Sequence, residues 1–132
     1  KKFLETQGHK VKDFGAFSLE SCDYPLIGYQ VSLQVAKKRY RRGILICKTG
    51  IGMSIAANKV KGIRAALCDR LDIARFSREH NDANILVFAE NVVPASKAKR
   101  IVVLWLSTRA LGGRHRRRVD KIKNIEYKGT GL

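Results

Sequence analysis

A chain of 132 residues with 45% hydrophobic content is long enough for one domain around one core, and no apolar run in it approaches the length of a membrane span. Its 27 Lys and Arg against 11 Asp and Glu leave a net charge of +16, which suits anionic partners such as nucleic acid, phosphorylated metabolites or acidic surfaces. Cys22, Cys47 and Cys68 are odd in number and lack CxxC spacing, which argues against a disulfide framework or a zinc knuckle. With no secretory signal visible, the expectation is a soluble protein with reduced thiols, in the cytoplasm or an organelle matrix, and with no membrane partner.

In chain order, Lys1 to Gln7 reads as the end of a helix stopped by Gly8. His9 to Phe14 alternates enough to predict a strand, with Val11 and Phe14 inward and Lys10 and Lys12 outward. Gly15 to Pro25 is a loop carrying Ser18, Ser21 and Asp23. From Leu26 to Lys38, Ile27, Val31 and Val35 recur at a helical spacing, and the basic run Lys37 to Arg42 connects onward. The apolar run Ile44 to Cys47 reads as a buried parallel strand, Thr49-Gly50-Ile51-Gly52 as a turn, and Met53 to Lys59 as a small-residue helix closed by Lys61-Gly62.

Ile63 to Cys68 is a further strand, Asp69 to Glu79 a helix, and His80 to Ala83 a polar turn. Asn84 to Ala89 is an apolar strand, and Ala95 to Thr108 a helix with Ile101, Leu104 and Trp105 inward. Gly112-Gly113 breaks the chain before a last helix, Arg114 to Tyr127, with Val119, Ile122 and Ile125 on one face. The alternation predicts an α/β fold over residues 1–132, Rossmann-like, with a parallel sheet and helices on both faces. Ligands of such sheets sit beyond the carboxyl ends of the strands, where Cys47, Cys68 and the turn after Ala89 fall.

The stretch Gly43 to Lys59 carries the chemistry. A glycine turn between strand and helix aims main-chain N–H groups at whatever lies above the strand, and with the helix dipole it favours an anion. Cys47 sits at the strand tip, and a thiol beside a helix N-terminus ionises more readily, which makes it a usable base or nucleophile. The plain alternative is a glycine turn common to α/β proteins and a cysteine serving as a small buried hydrophobe.

Taken together, Gly43-Ile-Leu-Ile-Cys47, Thr49 to Lys59, Gly62 to Cys68, Asp23-Tyr24-Pro25, Ser77 to Asn84 and Gly112-Gly113-Arg114-His115 with Arg118-Val119 resemble the type B ribose-5-phosphate isomerases, a family that also contains galactose-6-phosphate isomerase subunits. The Ser77 to Asn84 run resembles the ribose branch. The resemblance implies a Rossmann-like homodimer with sites at the subunit interface, interconverting an aldose phosphate and a ketose phosphate without a metal or other cofactor. It implies Cys47 as the base that moves a proton between adjacent carbons, with Thr49 and His80 assisting ring opening. It implies that the main chain of Gly50, Ile51, Gly52, Met53 and Ser54 holds the enediolate, that Tyr24 lies at the substrate, that Asn81 touches substrate hydroxyls, and that Arg114 and Arg118 grip the phosphate, some from the partner subunit.

These residue types suit that chemistry. Proton abstraction beside a carbonyl needs a placed base, and the developing oxyanion needs fixed donors. A phosphate handle needs forked Arg donors, and His can shuttle a proton near neutral pH.

Some positions depart from the family pattern. The family's first strand, which ends in an Asp-His pair, has no counterpart in these 132 residues, so a sheet without that strand is expected. Lys48 stands where Gly is usual and would be strained at positive φ. Glu90-Asn91 replaces a usual Gly-Arg and weakens the expected phosphate grip, and Ala110-Leu111 replaces an aromatic–acidic pair. The missing strand, Asn91 and the net charge of +16 motivate a second reading, a non-catalytic, RNA-binding subunit of a ribonucleoprotein such as a ribosome, with the basic runs Lys37 to Arg42 and Arg114 to Arg118 and Tyr40 as a base-stacking ring forming a polyanion-binding face.

Overall fold

The computed structural model of the protein describes residues 1–15 and 23–130, so Ser18, Ser21 and Cys22 lie outside the described residues. Helix and strand alternate in chain order as α1 (Lys2–Thr6), α2 (Tyr24–Ala36), β1 (Gly43–Cys47), α3 (Ile51–Asn58), β2 (Ala65–Leu67), α4 (Leu71–Glu79), β3 (Ile85–Ala89), α5 (Ala95–Ser107) and α6 (Arg114–Lys128). The three strands form one parallel sheet in the order β1-β3-β2, with Cys47 opposite Ala89 and Leu67 opposite Val87.

The middle strand shows why the sheet is covered on both faces. All five residues of β3 are buried, and their side chains alternate between two cores. Ile85 and Val87 join Val35, Leu45, Met53 and Ala57 under α2 and α3. Leu86 and Phe88 join Cys68, Ala74, Ile101 and Trp105 under α4 and α5. That is the layered α/β arrangement the apolar runs predict.

Two strands differ from the sequence-based expectation. His9 to Phe14 forms no strand, although Val11 and Phe14 are half-buried and Lys12 is exposed, as the alternation implies. An extended segment becomes a strand only when a neighbour completes its ladder, and the described sheet pairs β1 with β3 alone. Phe14 instead packs edge-on against Tyr40, with ring centroids 6.2 Å apart. The strand expected from Ile63 to Cys68 is shortened to Ala65–Leu67, because Ile63 N–H turns back to the Val60 carbonyl. Cys68 still donates its N–H to Val87 O at 3.1 Å.

The amino ends of the strands are tied by a charged clasp. Arg78, only 3% exposed, donates to Asp82 Oδ1 at 2.8 Å, to Ala83 O at 2.6 Å and to Thr108 O at 3.1 Å. Arg64 reaches the other oxygen of Asp82 at 3.3 Å. Asn84 bridges β2 and β3 by accepting Arg64 N–H and donating to Gly62 O, both at 2.8 Å. Burial, then the nearby Arg78 charge, lowers the pKa of Arg42, whose guanidinium lies over the Trp105 ring.

Candidate active site

At the carboxyl end of β1, the chain leaves the sheet through Lys48 and Thr49, enters α3 at Gly50, and folds back on its own sulfur. Gly50 N–H donates to Cys47 Sγ at 3.1 Å. Cys47 is half-buried, so its sulfur borders the core without being sealed in it. Cys68, just past the tip of β2 on the other side of β3, is fully buried, and loss of water pushes its thiol up to about 11. Of these two strand-tip thiols, only Cys47 is open to a ligand.

Gly50 makes the turn possible. It adopts φ +74°, the left-handed region, and a Cβ there would collide with Leu67 Cδ1 and press on Phe88 O and Ala89 N. Only a residue without a side chain fits both demands. Gly50→Ala is expected to lower stability by about 1–3 kcal/mol from backbone strain, with the Leu67 clash added, and to pull the N–H off the sulfur. Thermal unfolding with an activity assay checks this.

The leading N–H groups of α3 lie outside its own hydrogen-bond ladder, and the helix dipole adds positive character there. Ile51 N–H leans toward Thr49 Oγ1 at 3.4 Å, and Ser54 N–H closes the first intrahelical turn on Gly50 O at 3.1 Å. Met53 is buried, so its contribution to the turn is its main chain. Tyr24, the first residue of α2, lies directly against Gly52, where any Cβ would collide with its ring. The loop after β3 completes the rim, with Glu90 N–H donating to Cys47 O at 2.9 Å and Asn91 N–H to Lys48 O at 3.0 Å. Lys48 has no positive φ and is exposed, so the strain anticipated for it does not arise and it does not plug the turn.

The other expected site residues sit at the opposite end of the sheet. His80 caps α4, and the turn through Asn81 leads directly into Ile85 at the amino end of β3. Cys47 pairs with Ala89 at the far end of that strand, roughly 13 Å away at about 3.3 Å per residue. Leu111 N–H donates to Glu79 O at 2.9 Å, which brings the start of α6 beside His80. Arg114 and Arg118 are exposed and one helical turn apart, so they share a face of α6. The structure therefore gathers Cys47, Thr49, the Gly50–Ser54 turn and Tyr24 at one end, and His80, Asn81, Arg114 and Arg118 at the other.

Sequence reasoning assigned no role to His115 or Phe76. The His115 ring stacks on His80 at 4.2 Å between centroids, and Phe76 stacks on His80 at 4.9 Å. Loss of water, then the charges of His80, Arg114 and Arg118, hold His115 below the usual imidazole range, with Glu79 opposing. The Gly112-Gly113-Arg114-His115 run signalled a site without showing which ring His115 meets. Among the described residues, no group of three or more His, Cys, Asp or Glu is arranged to hold a metal ion, and no helix is long and apolar enough to cross a membrane.

Comparison with known proteins places this geometry. The profile of the Ribose/Galactose Isomerase family matches residues 1–122. Ribose-5-phosphate isomerase B of Escherichia coli (strain K12) is 48% identical over 125 residues, covering 95% of this chain and 84% of that protein. The solved structure of Clostridium thermocellum ribose-5-phosphate isomerase B superposes with a TM-score of 0.94 at 52% identity, covering 98% of this chain and 87% of the other. That of Mycoplasma genitalium ribose-5-phosphate isomerase B with bound ribulose-5-phosphate gives 0.90 at 39% identity, covering 95% and 84%. The chain belongs to the ribose/galactose isomerase family.

Proposed function

We propose that the protein is a sugar-phosphate aldose–ketose isomerase, converting ribose 5-phosphate to ribulose 5-phosphate through an enediolate, with Cys47 as the base. The observation that carries the assignment of the base is the half-buried Cys47 sulfur under the Gly50 N–H, at the head of α3. Relatives named for the same isomerisation support the substrate class.

In this reading, Cys47 takes the proton from C2 of the open-chain aldose and returns one to C1. The N–H groups at the start of α3 neutralise the negative charge that gathers on the enediolate oxygen. His80 and Thr49 move the protons that open the sugar ring. Arg114 and Arg118 hold the phosphate, whose binding orients the reacting end.

Because the two residue groups lie at opposite ends of one sheet, a complete site needs a second copy. The β2 edge offers the surface. Ile51, Ile55 and Leu67 are exposed near the carboxyl end, and a groove of ≈ 460 Å³ lined by Asn58, Ile63, Ala65, Ile122 and Ile125 lies near the amino end. A two-fold axis crossing the strands there would set the amino end of one copy against the carboxyl end of the other, closing two equal sites.

Nothing in the fold or in these relatives supports the alternative of a non-catalytic RNA-binding subunit. The direct experiment follows ribulose 5-phosphate formation from ribose 5-phosphate by the purified chain. Turnover is the expected result, and absence of turnover from correctly folded dimer would remove the reading.

A further inference from the structure

His80, the cap of α4, and His115 of α6 come from different elements, yet their rings are nearly parallel, with 3° between planes and 4.2 Å between centroids. Phe76, one helical turn before His80, stacks at 4.9 Å and 15°. Two flat rings cannot share one face of an imidazole at these separations, so His80 is sandwiched. Its two faces are covered, and its nitrogen-bearing edge is what remains to meet a ligand.

We propose that His115 is a positioning residue for His80, closing a three-ring clamp that holds the His80 imidazole in one orientation with its nitrogen edge toward the substrate. The proposal rests on the reading of His80 as the group that moves the ring-opening proton. A histidine capping a helix at a surface turn would otherwise sample several rotamers, and each misplaced one removes the proton carrier from reach. The same clamp registers α6. Gly113, at φ +59°, turns the chain into that helix, and the Leu111–Glu79 hydrogen bond fixes the approach. The ring that steadies His80 therefore sits between Arg114 and the rest of α6, so the proton-moving edge and the phosphate-holding arginines keep one spacing.

Charge supports this division of labour. The charged and titratable groups facing the clamp are Arg75, over the Phe76 ring at 4.8 Å, and its partner Glu79 from α4, and Arg114 and Arg118 from α6, with the two imidazoles themselves. Loss of water, then the neighbouring cations, biases His115 toward its neutral form, while Glu79 opposes them. A neutral imidazole stacks on a neighbouring ring without charge repulsion, whereas two charged rings face to face repel. The lowered pKa favours the neutral His115 ring as the flat wall against His80. Protonation of His115 at falling pH puts a charge on the stacked face and loosens the clamp.

The test compares His115→Ala, His115→Leu and His115→Phe in the intact protein, with ribose 5-phosphate as substrate and a pH–rate profile for each. Alanine, which removes the wall, and leucine, which fills space without a flat face, are each expected to lower kcat by about 10- to 100-fold with KM changed less. Phenylalanine, which keeps the face and removes the titration, is expected to restore kcat to within about threefold, with activity extending further to the acid side. Failure of His115→Phe to rescue would mean that the ring nitrogens of His115 are themselves required, and would overturn the positioning role. Full activity of His115→Ala would overturn it as well. His80→Asn is the separate control: full turnover there would sink the His80 reading itself, whatever the His115 variants do.

Discussion

Cys47→Ala is expected to reduce kcat for ribose 5-phosphate isomerisation by about 100- to 10,000-fold, the usual contribution of a placed acid–base group. The Cys47 sulfur is half-buried and receives the Gly50 N–H at 3.1 Å, so it lies where a carbon-bound proton can be presented from above the strand. Removing it leaves the start of α3 intact, and the arginines expected to hold the phosphate are on α6. KM should therefore change little, because binding and proton transfer depend on different residues. Cys47→Ser separates the two uses of the sulfur. A hydroxyl can still accept the Gly50 N–H, but it is a far weaker base than a thiolate, so the serine variant should fold like the parent and remain slow. Exchange of the C1 and C2 hydrogens with D₂O, followed by NMR, checks the step itself. Exchange at the parent rate in Cys47→Ala would show that another group moves the proton.

The helices and strands were legible where local physics decides them. The apolar run before Cys47 reads as a buried strand, and Gly50 and Gly52 read as a turn whose main chain comes close to its neighbours. The structure forms the strand, with Leu45 buried but Ile46 59% exposed, and Gly50 makes the turn at positive φ against Phe88 O, while Gly52 already lies within α3 beneath the Tyr24 ring. The helix faces were legible as well, since Val35, Ile101, Trp105 and Val119 are all buried. On α6 the expected apolar face is only partly used. Val119 is packed, while Ile122 and Ile125 stay exposed beside the groove along β2.

What could not be read was anything that depends on a neighbour distant in sequence. The alternation from His9 to Phe14 is real, but a ladder belongs to two strands and the described sheet supplies no second one there. Nor does spacing reveal that Cys47 and His80 are separated by the full length of β3, because that follows from the direction in which α4 returns across the sheet. The His115 stack is the same kind of fact. Its residue type was visible, and its partner was set only by the way Leu111 docks on Glu79.

The basic excess has a local consequence at the amino end of the sheet. Arg64 and Arg78 share the single carboxylate of Asp82, and loss of water, then positive neighbours, depresses both Arg42 and His115. That end holds an excess of positive potential, which suits capture of a phosphate by Arg114 and Arg118. For His115, whose folded pKa is lowered, the unfolded chain binds the extra proton first. Its contribution to stability is therefore present above the ordinary imidazole range and is lost as pH falls through it.

The separation of the two residue groups is the feature on which the account turns, and one mixing experiment addresses it. Cys47→Ala and His80→Asn are each expected to be nearly inactive alone. If each site draws Cys47 from one copy and His80 from the other, unfolding and refolding the two variants together should restore turnover. Random pairing makes about half the dimers mixed, and each mixed dimer holds one intact site, so recovery should approach about a quarter of the parent activity. If both residues serve a site within a single copy, every site in a mixed dimer carries a lesion, and the refolded mixture would stay as inactive as its components.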